Sequence, residues 1–175
     1  VRAYFPSILL NKGALALNAS DIYYLSTGEL SRLIRKKELS PVEVIQVYLD
    51  RIQSLEPLLN SFITTLADQS VADARLAEME MRQGKYRGPL HGIPLALKDL
   101  FYVKGVRNTS GLKIFETFIP HFDCTVHAKL KEAGTILIGK LNMHPLAYGV
   151  TGENPDYGPA HNPWNPKLIT GGSSS

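Results

Sequence analysis

The fold is decided by residues 123–138, which read DCTVHAKLKEAGTILI. The spacing predicts a helix that begins with Asp123 as its N-cap and runs through Ala133, where Gly134 breaks it. The next four residues, Thr135–Ile138, are typical of a buried strand because they are β-branched or apolar. A helix, a glycine and a buried strand form half of a parallel α/β unit, and another apolar run of strand length, Ile93–Leu97, precedes the helix.

The chain before this unit has the pattern of helices. A capping box begins at Ser26, and a second one at Ser40 is followed by apolar residues at helical spacing. We expect Pro57 to stop the second helix. A third helix is predicted over Asp68–Gln83, with Gly84 placed to end it in a left-handed conformation.

Length and charge limit the class of protein. The chain has 175 residues, 19 basic and 16 acidic, for a net charge of +3. Charges this nearly balanced produce no strong electrostatic field, so they give no reason to expect nucleic-acid binding. A single cysteine excludes an internal disulfide framework and, with no apolar run near the ~18–20 residues of a membrane span, favours a cytoplasmic protein without a membrane partner.

The two ends of the chain differ from the middle. Residues 1–20 have no clear period, and we interpret them as a leader or a poorly ordered segment. Residues 21–175 are the rest of the chain, which the family resemblance given below interprets as the N-terminal part of a single domain. The first residue is Val1 and the last lie in a glycine–serine loop, so we interpret the sequence as a piece of a longer chain.

Lys98 is the first candidate for chemistry. It follows the strand Ile93–Leu97 and precedes Asp99, and the alternation of side chains along a strand places the two on opposite faces. Asp99 therefore need not neutralise Lys98. A lysine in an apolar, serine-lined site has a lowered pKa and can act as a general base. On spacing alone, a surface lysine at a strand end is the commoner case.

The second candidate is the loop Gly171–Ser175, which reads GGSSS. Paired glycines allow unusual backbone conformations, and serine hydroxyls both donate and accept hydrogen bonds. Such a loop can hold a nucleophile or relay a proton, although a flexible linker has the same composition. It is not a phosphate-binding P-loop, since no Gly-Lys-Ser/Thr follows.

A metal site is not expected. His121, Cys124 and His127 are spaced three apart, but the sequence has no HExxH, no CxxC pair and no fourth ligand at a suitable distance. We predict neither a metal nor any other cofactor.

Taken together, the two candidates and their flanks resemble the amidase signature family. Residues 88–99, GPLHGIPLALKD, are similar to the lysine segment of that family. Residues 106–111 (VRNTSG) and 130–143 (LKEAGTILIGKLNM) resemble the segments that follow, and the family signature itself begins at residues 171–174 (GGSS). The resemblance covers about residues 22–175.

The resemblance implies hydrolysis of a carboxylic amide through a Ser–cis-Ser–Lys triad. Lys98 resembles the general base, and Ser173 resembles the bridging serine, which the family holds through a non-proline cis peptide. The nucleophilic serine and the oxyanion hole of the family lie beyond Ser175. Ser174 and Ser175 match the family loop and are not promoted to nucleophile, so the 175 residues alone are not expected to be a competent amidase.

The family also implies an architecture: an α/β fold with a mixed β-sheet covered by helices on both faces, incomplete in this chain. Uncovered apolar surface would favour association, including a homo-oligomer. Three functions stay open: an amidase acting on a small-molecule amide, a truncated non-catalytic product, and the glutamine-hydrolysing component of a tRNA-dependent amidotransferase, which would need partner subunits. Residues 142–144 and 148–153 favour the general amidase.

Overall fold

A computed structural model describes residues 18–175. Its helices and strands, in chain order, are α1 Ala19–Tyr23, α2 Thr27–Arg35, α3 Pro41–Leu59, β1 Phe62–Thr65, α4 Ala67–Arg82, β2 Pro94–Lys98, α5 Thr125–Glu132 and β3 Ile136–Leu141. None of the helices within this range has the length and apolar character that a membrane span requires.

The three strands form one mixed sheet with β3 in the middle. β2 pairs with β3 in parallel, and β1 pairs with β3 antiparallel. Because β2 and β3 run parallel and α5 lies between them in the chain, they complete the α/β unit that residues 123–138 predict. The α/β class and the mixed sheet are confirmed.

The two faces of the sheet are covered differently. On one face, the core joins α3, α4 and β3 through Ile45, Leu49, Ala74, Ala77, Ile136 and Ile138. On the other face, Leu97 and Leu137 pack against Val103, which lies in the loop after β2. Helices α3 and α4 thus supply the helical layer on the first face, and the loop after β2 contributes packing on the second.

The capping residues of the N-terminal helices are confirmed. Ser26 Oγ accepts a hydrogen bond from the Glu29 N–H at 3.2 Å, at the start of α2. Ser40 Oγ accepts one from the Val42 N–H at 3.0 Å, at the start of α3. Each side chain satisfies a backbone donor that the helix itself leaves without a partner, which fixes where the helix begins.

The prediction that Pro57 ends the second helix is wrong, because α3 continues to Leu59. A proline lacks the N–H that bonds the carbonyl four residues earlier, but Pro57 lies in the last turn, where only that one bond is lost. Asn60 ends the helix instead, in a left-handed conformation with φ of 48°.

Asp123 does not cap α5, which is also a correction. The N-cap is Cys124, and the helix spans Thr125–Glu132. The Asp123 carboxylate accepts a hydrogen bond from the Lys104 N–H and lies 3.0 Å from His127 Nδ1. Its oxygens are thereby engaged with a neighbouring loop and with the helix side chain one turn on.

Two elements are not predicted by the sequence pattern. β1 has only four residues, and α1 has five. Since α1 begins at Ala19, the last two residues of the predicted leader 1–20 belong to a helix; residues 1–17 lie outside the described part. The predicted α4 differs from the observed helix by one residue at each end, and Gly84 follows it with φ of 80°.

Candidate active site

Lys98 is the last residue of β2, where the strand meets the loops. Its Nζ lies 2.9 Å from Ser173 Oγ and 3.0 Å from Ser174 Oγ. Lys98 and Ser173, the two candidates of the sequence analysis, are therefore in direct contact across 75 residues of chain.

The serine loop turns toward Lys98 at two glycines. Gly171 and Gly172 have φ of 78° and 77°, in the left-handed region that favours glycine. The cis peptide that the resemblance implies at Ser173 is not present, since none of the peptide bonds in residues 18–175 is cis. The two glycines make the turn that brings Ser173 to Lys98.

Residues 144–152 hold the serine loop in place. The Gly172 N–H donates to the Val150 carbonyl at 2.6 Å, and the His144 N–H donates to the Ser173 carbonyl at 3.3 Å. These backbone bonds fix the position of the Ser173 side chain relative to Lys98.

The environment of Lys98 destabilises its charged form relative to that of a solvated lysine. Burial lowers the pKa of Lys98 from the ordinary lysine value, because desolvation disfavours the ammonium. A neutral amine has a lone pair that can accept the proton of the Ser173 hydroxyl, and a hydroxyl can donate and accept at once. The arrangement can therefore carry a proton between the lysine and the serine.

The other two serines occupy different surroundings. Ser174 is exposed, and its hydroxyl also reaches Lys98. Ser175 Oγ donates to the Gly152 carbonyl at 3.1 Å.

The structure gives other roles to the three residues with metal-like spacing, His121, Cys124 and His127. His127 contacts the Asp123 carboxylate, and the His121 ring packs edge-on against Phe122 at 5.2 Å between centroids. Cys124 is the N-cap of α5. Within the described range 18–175, no group of three His, Cys, Asp or Glu side chains could hold a metal ion.

Sequence reasoning misses a buried ion pair next to the candidate base. Lys140 Nζ lies 2.8 Å from Asp99 Oδ1, and both side chains have no exposed surface. The signal in the sequence is Lys140 itself, a charged residue two positions after Ile138, the end of the buried run that predicts β3. Alternation along the strand turns Asp99 away from Lys98, but it does not reveal which residue Asp99 meets.

The family of this chain is decided by its sequence as a whole. The model of the Amidase family matches residues 43–175. The chain belongs to this family. Among curated relatives of this Amidase-family chain, the A subunit of the glutamyl-tRNA(Gln) amidotransferase of Geobacter metallireducens is 43% identical over 155 residues, which are 89% of this chain and 32% of that protein.

Solved amidase structures share the fold. The peptide amidase of Stenotrophomonas maltophilia is 30% identical with a TM-score of 0.81, over 86% of this chain and 32% of that chain. A structure of a vestigial protein complex, tied to the origins of an s-triazine catabolic enzyme, gives 36% identity and a TM-score of 0.82, over 86% of this chain and 33% of that one. The chain spans about a third of the length of the curated relatives that it matches.

Proposed function

We propose that this amidase segment supplies the general base and the bridging serine of a Ser–Ser–Lys amide hydrolase. The single observation that carries the proposal is the 2.9 Å contact between Lys98 Nζ and Ser173 Oγ. The desolvation that lowers the pKa of Lys98 supports it, because a base has to be neutral to accept a proton.

The chemistry is a proton relay. Neutral Lys98 takes the proton of Ser173, Ser173 takes the proton of the nucleophilic serine, and that serine attacks the amide carbonyl. The proton then returns along the same path to the amine nitrogen, and the amine departs. The acyl-enzyme that remains is hydrolysed by water. The nucleophile is proposed to lie beyond Ser175, outside these residues.

A serine-directed fluorophosphonate tests this proposal. The whole protein that carries residues 1–175 is labelled as wild type, Lys98→Ala, Ser173→Ala and Lys129→Ala, where Lys129 is an exposed lysine of α5 that serves as the control. We expect the first two variants to lose several powers of ten in labelling rate, as is usual when one member of a catalytic unit is removed, and the control to keep the wild-type rate.

Two results would overturn it. Lys98→Ala that labels at the wild-type rate would remove the lysine from the mechanism. A labelled peptide that contains Ser174 or Ser175 would assign the nucleophile to this loop rather than to a downstream serine.

A second candidate is the glutamine-hydrolysing component of an amidotransferase. The supporting observation is the 43% identity to the glutamyl-tRNA(Gln) amidotransferase relative, which exceeds the 30% and 36% identity to the two solved structures. This similarity favours the amidotransferase over the general amidase that residues 142–144 and 148–153 suggest. Ammonia release from glutamine, compared with release from aliphatic and peptide amides, separates the two, and co-purification exposes the partner proteins that the second would need.

A further inference from the structure

The buried ion pair beside Lys98 is enclosed by polar partners. Lys140 Nζ donates to Asp99 Oδ1 at 2.8 Å and to Asn108 Oδ1 at 3.0 Å. The other carboxylate oxygen, Asp99 Oδ2, accepts from the Thr109 N–H at 2.8 Å and from the Thr109 hydroxyl. All four side chains are at most 1% exposed, so the charges of the pair are compensated within the protein rather than by water.

A register shift places Lys140 on this side of the sheet. Leu95 pairs with Leu137, but the next residue, Ala96, pairs with Gly139, so β3 carries one extra residue. Since side chains alternate along a strand, the extra residue reverses the facing of every later position in β3. Lys140 consequently lies opposite Leu97, away from the face of Ile136 and Ile138.

The pair lies directly behind the candidate base. Asp99 follows Lys98 in the chain, and its backbone N–H donates to the Leu141 carbonyl at 3.1 Å. Lys98 Nζ contacts serine hydroxyls, whereas the Asp99 carboxylate contacts Lys140 and Thr109. The two neighbouring charges thus have separate partners on the two sides of β2.

We propose that Lys140 is a positioning residue for the Lys98–Ser173 pair: it neutralises Asp99, so that Lys98 meets the serine hydroxyls with no uncompensated anion beside it. The inference rests on the proposed function of Lys98 as a base. Desolvation by burial is the cause of the lowered pKa of Lys98. The charged and titratable neighbours that act on Lys140 are Asp99 and the Cys124 thiol.

The test measures the reactivity of Lys98 against pH. The whole protein is labelled with isotopic acetic anhydride over a range of pH that brackets the titration of lysine, and mass spectrometry of the Lys98 peptide gives the rate relative to exposed Lys129. The variants are Lys140→Met and the double variant Asp99→Asn/Lys140→Met. Methionine approximates the volume of lysine, and the double variant removes both charges.

Loss of Lys140 leaves a carboxylate that stabilises the ammonium of Lys98. For two unit charges roughly 10 Å apart at an effective dielectric constant of ~20, Coulomb's law changes the neutral fraction of an amine about tenfold, so we expect Lys98 in Lys140→Met to react about tenfold more slowly than in wild type near neutral pH. The double variant is expected to react at the wild-type rate. If it is as slow as Lys140→Met, the pair acts through geometry and the proposal is overturned.

The remaining outcomes distinguish failure of the proposed function from failure of this inference. A wild-type Lys98 that titrates like Lys129 contradicts the proposed function itself, whereas a perturbed wild-type Lys98 that Lys140→Met leaves unchanged contradicts only this inference. If Lys140→Met does not fold, as judged by circular dichroism, Asp99→Asn replaces it: the proposal requires Lys98 to react at least as fast as in wild type, and a loss of about tenfold overturns it.

Discussion

Gly134→Ala should destabilise the fold far more than Gly84→Ala, although both glycines follow a helix with a similar positive φ. Gly84 has φ of 80° and Gly134 has φ of 89°. An L-residue with a side chain in this region costs roughly 1–2 kcal/mol at either position. Any change in the entropy of the unfolded chain is also common to both, so the backbone contribution cancels in the comparison.

The difference comes from what the new methyl group meets. A Cβ at Gly84 has no heavy atom within 4 Å, whereas a Cβ at Gly134 would lie 2.6 Å from His91 Cδ2 and 3.0 Å from His91 Cα. His91 cannot easily move away, because its Nδ1 accepts from the Arg87 N–H at 3.2 Å and its Nε2 lies 3.1 Å from Glu80 Oε2. Overpacking of this kind costs about 1–3 kcal/mol beyond the shared backbone cost.

Urea denaturation followed by circular dichroism measures both variants against wild type. The free energy of unfolding should fall by about 2–5 kcal/mol in Gly134→Ala and about 1–2 kcal/mol in Gly84→Ala. Equal losses in the two variants would refute the argument, because they would mean that contact with His91 contributes nothing. A larger loss in Gly84→Ala would refute it more strongly.

Three further predictions concern the site and its frame. The acylation rate of Lys98 should rise with pH through a pKa below that of an ordinary lysine. Between that lowered pKa and the usual lysine range, the folded state binds fewer protons than the unfolded state, so the free energy of unfolding should also rise with pH. Urea midpoints measured across this pH range check the second expectation. Gly139→Ala should cost about 1–3 kcal/mol of unfolding free energy, since its Cβ would lie 2.6 Å from the Thr64 carbonyl oxygen, and a wild-type urea midpoint would contradict this. Ser40→Ala should lower the thermal midpoint through about 1–2 kcal/mol of lost stability, because Ser40 both caps α3 and donates to Glu78 at 2.6 Å; an unchanged midpoint would show that the cap is dispensable.

Local chemistry explains which parts of the fold could be predicted. The starts of α2 and α3 follow from Ser26 and Ser40, whose hydroxyls bond backbone donors within three residues along the chain. β1 could not be predicted in the same way, because its residues are at most half-buried and gain their strand partner, β3, from a distant part of the chain. Asp123 shows that even the start of a predicted helix, α5, can be misplaced. It is a good capping residue, but its carboxylate is engaged by a loop that the local sequence does not reveal.

The candidate site, like the fold, could be predicted from the sequence only in part. Lys98 and Ser173 are found because they lie in segments that resemble a family, not because any spacing predicts that residues 75 apart will touch. Their contact depends on β2 ending where the glycine turn of residues 171–172 arrives. That arrival depends in turn on backbone bonds from the loop 144–152, which has no periodic signal.

Lys98 and Lys140 show why residue type alone could not assign roles at this site. Both follow short apolar runs, and both have a pKa lowered by burial. For Lys140, the Asp99 carboxylate opposes this lowering of the pKa, because it favours the charged form of the lysine. The amine of Lys98 contacts serine hydroxyls instead. The extra residue in β3 decides between these outcomes, because it moves Lys140 to the side of Asp99. One residue of register in β3 therefore determines whether Lys140 can pair with Asp99.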